Sequence, residues 1–243
     1  MRILGIIPAR YASTRFPGKP LVDIGGKSMI QRVYEQVLKS GVLDAVVVAT
    51  DDERIAQELE QIGAKYVMTD PEHLNGTMRC AEVMTFPAFK GFDAAINIQG
   101  DEPFINPEQI ELVAETLEDH PDGIATLVRS LTDREMYYDK NVVKAVLSNN
   151  GRALYFSRSP LPFYRSGNFE HAYQHLGIYG YPTKVLARLA TLEATPLELA
   201  ENLEQLRWLE NDIDIYAAVT QHATHAVDTP EDLERLRGLV NED

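Results

Sequence analysis

The chain has 243 residues, 44% of them hydrophobic and 25% charged, with a formal net charge of −14 at neutral pH. That length supports one large domain, or one domain with a smaller appendage, with a substantial core, and the acidity argues against general binding to nucleic acid or anionic membranes. No apolar run approaches the ~18–20 residues that cross a bilayer, the opening MRILGII is too short for a signal peptide, and the single cysteine, Cys80, rules out a disulfide framework or multi-cysteine zinc site; the expected setting is the cytoplasm.

RILGIIPA reads as a buried strand. SMIQRVYEQVLKSG follows as a helix with Met29, Ile30, Val33, Val37 and Leu38 on one face, stopping at Gly41. AVVVATD is a strand, ERIAQELEQIG a helix with Ile55, Leu59 and Ile62 inward, KYVMT a short strand, AAINIQGD another strand, and PEQIELVAETLED a helix facing Ile110, Val113 and Leu117 to the core. Strands alternating with helices predict an α/β fold around a mostly parallel sheet covered on both faces. From about residue 124 the rhythm changes. GIATLVRSL, VVKAVLSNNGRALYFSR and HLGIYGY are strand-like, with Asn149-Asn150-Gly151 as a hairpin turn, so an antiparallel middle section is expected as a cap or interface. PTKVLARLATL and PLELAENLEQLRWLE read as helices, the second with Leu199, Leu203, Leu206 and Leu209 inward. DIDIYAAVT is a late strand, and TPEDLERLRGLV a final helix with Thr229 as N-cap and Pro230 at its first position.

The loop in GIIPARYASTRFPGKPL leaves the carboxyl end of the first strand, where α/β sheets bind ligands. Residues 1–30 hold Arg2, Arg10, Arg15, Lys19 and Lys27 against Asp23, five cations to one acid, a basic island in an acidic chain. The loop fits neither G-x-x-x-x-G-K-[ST] nor G-x-G-x-x-G. Its amides from Ala9 to Thr14, with Arg10, Arg15 and Lys19, suit a polyphosphate; a solvated basic loop is the alternative. In NIQGDEP, a carboxylate at the tip of a buried strand, within Gln99-Gly100-Asp101-Glu102-Pro103, suits Mg²⁺ held between protein and phosphates, although Gly, Asp and Pro also make an ordinary turn. Asp228, just before the last helix, is placed to be a second carboxylate; a helix N-terminus also favours an acid there without metal. Arg158, the pair His175 and Tyr179 on one strand face, and Glu204 near Arg207 are weaker signals, equally served by capping, a helix salt bridge or a buried hydrogen bond.

Taken in order, IIPARYASTRFPGKPL, ATDDERI, NIQGDEP, YFSRSPLP, HLGIYGY, LEQLRWLEN and VDTPEDLERLR resemble the 3-deoxy-manno-octulosonate (Kdo) cytidylyltransferase family from the first strand to the last helix. The resemblance implies a Rossmann-like nucleotidyltransferase fold, a single domain over residues 1–243, and a cap and dimerisation subregion within 124–190. It implies a homodimer and the reaction of CTP with Kdo to CMP-Kdo and pyrophosphate, with Mg²⁺, in lipopolysaccharide synthesis. Lys19, Arg10 and Asp101 would be catalytic. Ala9, Arg10, Arg15, Lys19, Asn75, Gly76 and Arg79 would hold the nucleotide, Gln99, Arg158, His175, Tyr179 and Glu204 the sugar acid, and Asp101 and Asp228 the metal. One segment departs: the family reads Ser-Gly-Thr-(Asp/Glu)-Arg, and here Asn75-Gly76-Thr77-Met78-Arg79 stands instead. Another sugar acid, such as 8-amino-Kdo, or a nucleotide-binding homologue with impaired catalysis are the alternatives. A dinucleotide-dependent oxidoreductase lacks its glycine fingerprint.

Overall fold

A computed structural model describes residues 1–12, 16–167, 169, 171–224, 226–227 and 229–240. The chain's contacts gather into two compact units, Met1–Glu111 with Thr224–Asp243, and Leu112–Ala223.

The first unit is the parallel α/β body. Its elements are β1 (Ile3–Ala9), a 3-10 turn (Lys19–Leu21), α1 (Met29–Val37), β2 (Ala45–Thr50), α2 (Glu53–Gln61), β3 (Tyr66–Met68), α3 (Gly76–Thr85) and β4 (Ala94–Asn97). Helix α4 (Pro107–Asp119) carries the chain into the second unit. Strand order is β3-β2-β1-β4, every pair parallel, with Ile6 opposite both Val47 and Asn97. A central parallel strand has helices on both faces, which is why ILGIIPA is apolar without alternation and almost wholly buried. Ser28 caps α1 by accepting from Gln31 N, and Asp52 caps α2 by accepting from Arg54 N. Met29, Ile30, Val33, Val37, Ile55 and Leu59 face the core as expected. Leu38 does not: it is the C-cap of α1, past the last inward turn, and 54% exposed. Ile62, the C-cap of α2, is only half-buried for the same reason.

Residues 76–85, to which no element is assigned above, form α3. Asn75 caps it with its side-chain oxygen accepting from Met78 N at 2.9 Å. A glycine in the first turn and an apolar stripe broken by Arg79 hid the helix from periodicity.

The second unit contains β5 (Ile124–Leu131), α5 (Arg134–Tyr138), β6 (Lys144–Leu147), β7 (Ala153–Ser157), β8 (Ala172–Pro182), α6 (Thr183–Leu189), α7 (Pro196–Glu201), α8 (Glu204–Glu210) and β9 (Ile215–Thr220). Strand β5 pairs antiparallel with β8 and parallel with β9; β6 and β7 form the predicted hairpin, and β6 also pairs antiparallel with β8. The late helix is in fact two. Asn202 takes a left-handed φ of 52° that ends α7, an angle asparagine tolerates well. The break turns Leu199 out to 71% exposure, while Leu203 and Leu206 stay buried and Leu209 is half-buried. Arg207 folds back on Glu198 rather than pairing with Glu204 in the same helix.

The chain returns to the first unit with α9 (Pro230–Val240). Thr229 Oγ1 accepts from Asp232 N at 3.2 Å and Asp232 Oδ2 accepts from Thr229 N at 3.1 Å, a reciprocal cap that fixes the helix start where the sequence placed it.

Candidate active site

Strands β1 and β4 lie side by side, so the end of β1 with the residue after it, Pro8 to Arg10, and the residues beyond β4, Gln99 to Asp101, come together at the carboxyl edge of the sheet. The approach is close enough that a Cβ on Gly100 would lie 2.6 Å from the Pro8 carbonyl oxygen; only glycine fits. Between them opens a cleft of about 380 Å³, lined by Ala9, Arg10, Lys19, Gly76, Arg79, Gln99 and Asp101 among others. Seven sequence-predicted residues therefore meet in one place.

The loop after β1 is closed by Gly18 N donating to Tyr11 O at 2.9 Å, with Gly18 at a φ of 73°. The Tyr11 ring packs on Gly18 and carries the Arg54 guanidinium on its face, 3.2 Å from the ring centre. That anchorage delivers Lys19. Its Nζ donates to Asp101 Oδ2 and to Val227 O, both at 2.7 Å. Val227 N in turn donates to Asp101 O at 2.9 Å, holding the approach to α9 against the end of β4. Arg15 and Asp228, expected at the nucleotide and the metal, lie outside the described residues.

The two acids of QGDEP separate cleanly. The Asp101 side chain is 27% exposed toward the cleft, while Glu102 is 8% exposed. Burial, with the Asp101 charge beside it, pushes the Glu102 carboxyl up to about 8, so it stays protonated at neutral pH. Arg10 Nη1 donates to the His73 and Leu74 carbonyls at 3.2 and 3.4 Å, tying β1 to the loop before α3. Glu82 Oε2 holds that loop from below, accepting from Asp70 N at 2.9 Å and lying 2.7 Å from His73 Nε2. Arg79 is wholly buried, its guanidinium on Asp51 Oδ2 at 3.0 Å and on Thr69 Oγ1. Its hold on Asp51 and Thr69 sets α3 against β2.

The other candidates belong to the second unit. The rings of His175 and Tyr179 are 5.3 Å apart, so the two do share a face of β8. Tyr179 also packs against Tyr181 and Trp208, and burial, with the Glu204 charge nearby, raises its hydroxyl well above the ordinary range. Thr126 Oγ1 donates to Ile178 O at 2.8 Å and lies 3.1 Å from His175 Nε2. A hydroxyl hydrogen given to the carbonyl makes Nε2 the donor to Oγ1 and leaves Nδ1 as an acceptor; given to Nε2 it reverses the two. Burial pulls the His175 pKa down to about 3, so the ring is neutral. Arg158 is held by carbonyls: Nε to Glu201 O at 2.8 Å, Nη1 to Lys140 O at 3.1 Å and Nη2 to Asn202 O at 3.3 Å. Three of its five N–H groups are placed there, and the other two have no acceptor among the described residues.

Sequence reasoning missed Asp51, Thr69, Thr126, Glu201 and Lys144. A lysine inside the apolar run VVKAV was a visible signal for the last; the others show only once the chain is folded.

Fold and cleft together define a sheet-based nucleotidyltransferase. The chain matches the family described as Cytidylyltransferase over residues 4–215. It is 50% identical to 3-deoxy-manno-octulosonate cytidylyltransferase of Bacteroides thetaiotaomicron and 48% identical to that of Parabacteroides distasonis, each alignment covering 99% of this chain and 98% of the relative. A solved structure of a CMP:2-keto-3-deoxy-manno-octonic acid synthetase complexed with CTP is 40% identical, superposes with a TM-score of 0.94, and covers 100% of this chain and 99% of its own. The chain belongs to the 3-deoxy-manno-octulosonate cytidylyltransferase family.

Proposed function

We propose that this protein transfers the cytidylyl group of CTP to the anomeric hydroxyl of Kdo, forming CMP-Kdo and releasing pyrophosphate for lipopolysaccharide synthesis in the cytoplasm. The observation that carries the reading is the Lys19–Asp101 pair at the adjoining ends of β1 and β4, 2.7 Å apart in a cleft of nucleotide size. The sugar hydroxyl attacks the α-phosphorus while pyrophosphate departs, and two anions must be brought together, so catalysis is mainly charge neutralisation and positioning. Lys19 and Arg10 receive the phosphates, exchanging some of their present partners for phosphate oxygens. Gly76 and the Asn75-capped start of α3 hold the nucleotide from the other side, beside Ala9, and Arg79 keeps that helix in place; Arg15 adds a further cation.

Asp101 fits a Mg²⁺ site: a partly exposed carboxylate in the cleft, hydrogen-bonded through its main chain to the residue before Asp228. Mg²⁺ is commonly held by one or two carboxylates completed by substrate phosphates and water; Asp101 and Asp228 would hold it, and it would supply charge neutralisation and a more acidic attacking hydroxyl. Gln99, Arg158, His175, Tyr179 and Glu204 read the sugar acid. Arg158 meets its carboxylate with the other two N–H groups, and the neutral His175 shares a hydrogen bond with a hydroxyl at Nδ1. A homodimer formed through the 124–190 section is supported by Tyr138, Leu154 and Phe163, large hydrophobic side chains exposed there.

The test is pyrophosphate release with a panel of nucleotides, CTP, UTP and ATP, each with Mg²⁺ and either Kdo or 8-amino-Kdo. Release with CTP and Kdo alone is expected. Release with CTP and only the amino sugar would move the substrate, and CTP binding without release from either would make the chain a non-catalytic homologue.

A further inference from the structure

Lysine is seldom fully buried, yet Lys144 has no solvent exposure within β6. Its Nζ donates to three main-chain carbonyls: Asp139 O at 2.8 Å, Arg158 O at 2.7 Å and Val142 O. Three acceptors use all three hydrogens of an ammonium; a neutral amine would set its lone pair against one of the carbonyls. Burial, with the Arg158 charge nearby, holds the Lys144 pKa below its ordinary value, and the charges of Asp139 and Glu201 offset only part of that. The side chain is thus a buried cation solvated by backbone, an arrangement that costs more than an apolar residue of the same volume would.

What it holds is specific. Two of the carbonyls belong to the 139–142 loop and the third to Arg158. The Arg158 guanidinium reaches back to the same loop through Lys140 O, and to the α7–α8 turn through Glu201 O and Asn202 O. The Glu201 carboxylate closes the ring, accepting from Arg158 N at 2.9 Å and from Ser157 Oγ at 2.5 Å. Both ends of Arg158, main chain and guanidinium, therefore depend on segments that Lys144 fastens.

We propose that Lys144 is a positioning residue whose buried ammonium fixes the main chain of Arg158 and the 139–142 loop, and so aims the guanidinium that receives the sugar-acid carboxylate. The inference rests on the reading of Arg158 as the carboxylate partner. A side chain aimed by its supporting shell loses ligand affinity when that shell is loosened, whereas a purely structural lysine would weaken both substrates or neither.

A double-mutant cycle tests this with Lys144→Met, Arg158→Ala and the double variant, following KM for Kdo and for CTP in pyrophosphate release, with thermal unfolding as the check on folding. Lys144→Met is expected to raise the Kdo KM by about tenfold or more while the CTP KM stays within about twofold. Adding it to Arg158→Ala should raise the Kdo KM no further, since the group it aims is already gone. If Lys144→Met does not fold, Lys144→Gln, which removes the charge and keeps at most two N–H donors, takes its place in the same cycle. An unchanged Kdo KM, the two KM values rising together, or additive effects in the double variant would each overturn the inference while leaving Arg158 its role. An Arg158→Ala variant with an unaltered Kdo KM would overturn that role and the inference with it.

Discussion

Gly100 offers the sharpest perturbation of the cleft. A Cβ there would lie 2.6 Å from the Pro8 carbonyl oxygen, a main-chain atom of the neighbouring strand that has no rotamer to escape into. Ordinary contact begins near 3.4 Å, so in Gly100→Ala the ends of β1 and β4 must part by roughly 0.8 Å. Overpacking of this kind costs about 1–3 kcal/mol of stability. The displacement falls on the two strand ends that carry Arg10 and Asp101, and a misplacement of about 1 Å in a catalytic constellation costs on the order of 10²-fold in rate. Urea unfolding should show the stability loss, and steady-state pyrophosphate release should fall by a larger factor than folding alone explains. Gly238→Ala is the control: nothing lies within 4 Å of its Cβ position and it sits in α9, so the same change should leave stability equal or higher. A Gly100→Ala protein with wild-type stability and turnover would refute the close approach and the dependence of catalysis on it.

Other outcomes follow from the same geometry. Lys19→Met should keep the fold and lose about 10²–10³-fold in turnover, the usual cost of removing one preorganised charge donor, as read by circular dichroism and pyrophosphate release. Asn75→Ser keeps an N-cap for α3 and should change little, while Asn75→Ala should cost about 1 kcal/mol in urea unfolding and raise the CTP KM. His175, depressed from its ordinary 6.5 to about 3, binds no proton in the folded state between those values while the unfolded chain does. Stability should therefore fall as pH drops from about 6.5 toward 3, by at most about 1.4 kcal/mol per pH unit from this residue, and His175→Gln should flatten that slope in urea midpoints measured across pH.

The body of the fold was legible because its strands are buried on both faces and its helices carry clear stripes; β1, β2 and α1 follow directly from such runs. Where local chemistry overrode periodicity, the reading failed. Asn202 in a left-handed conformation breaks a leucine-striped segment into α7 and α8 and turns Leu199 out. Asn75 starts α3 in a stretch where glycine and a buried arginine conceal the pattern. In the cleft, the loop cations and a strand-tip carboxylate were readable as residue types suited to phosphate and metal. Their pairing was not, because Lys19 meets Asp101 across 82 positions of sequence. Nor could sequence tell Asp101 from Glu102: burial alone makes one a ligand candidate and the other a neutral acid. Lys144 and Glu201 do their work through main-chain carbonyls and amides, which no motif records.

Joining CTP to a sugar acid in the cleft at the ends of β1 and β4 is the activity proposed for this protein. Direct detection of the product by ³¹P NMR, with CTP, Kdo and Mg²⁺ and the wild-type protein beside Lys19→Met, tests it most plainly. A CMP-Kdo phosphodiester signal growing in step with pyrophosphate, and strongly suppressed in the variant, is the predicted result. No such signal from a folded wild-type protein, or an equal signal from Lys19→Met, would contradict it.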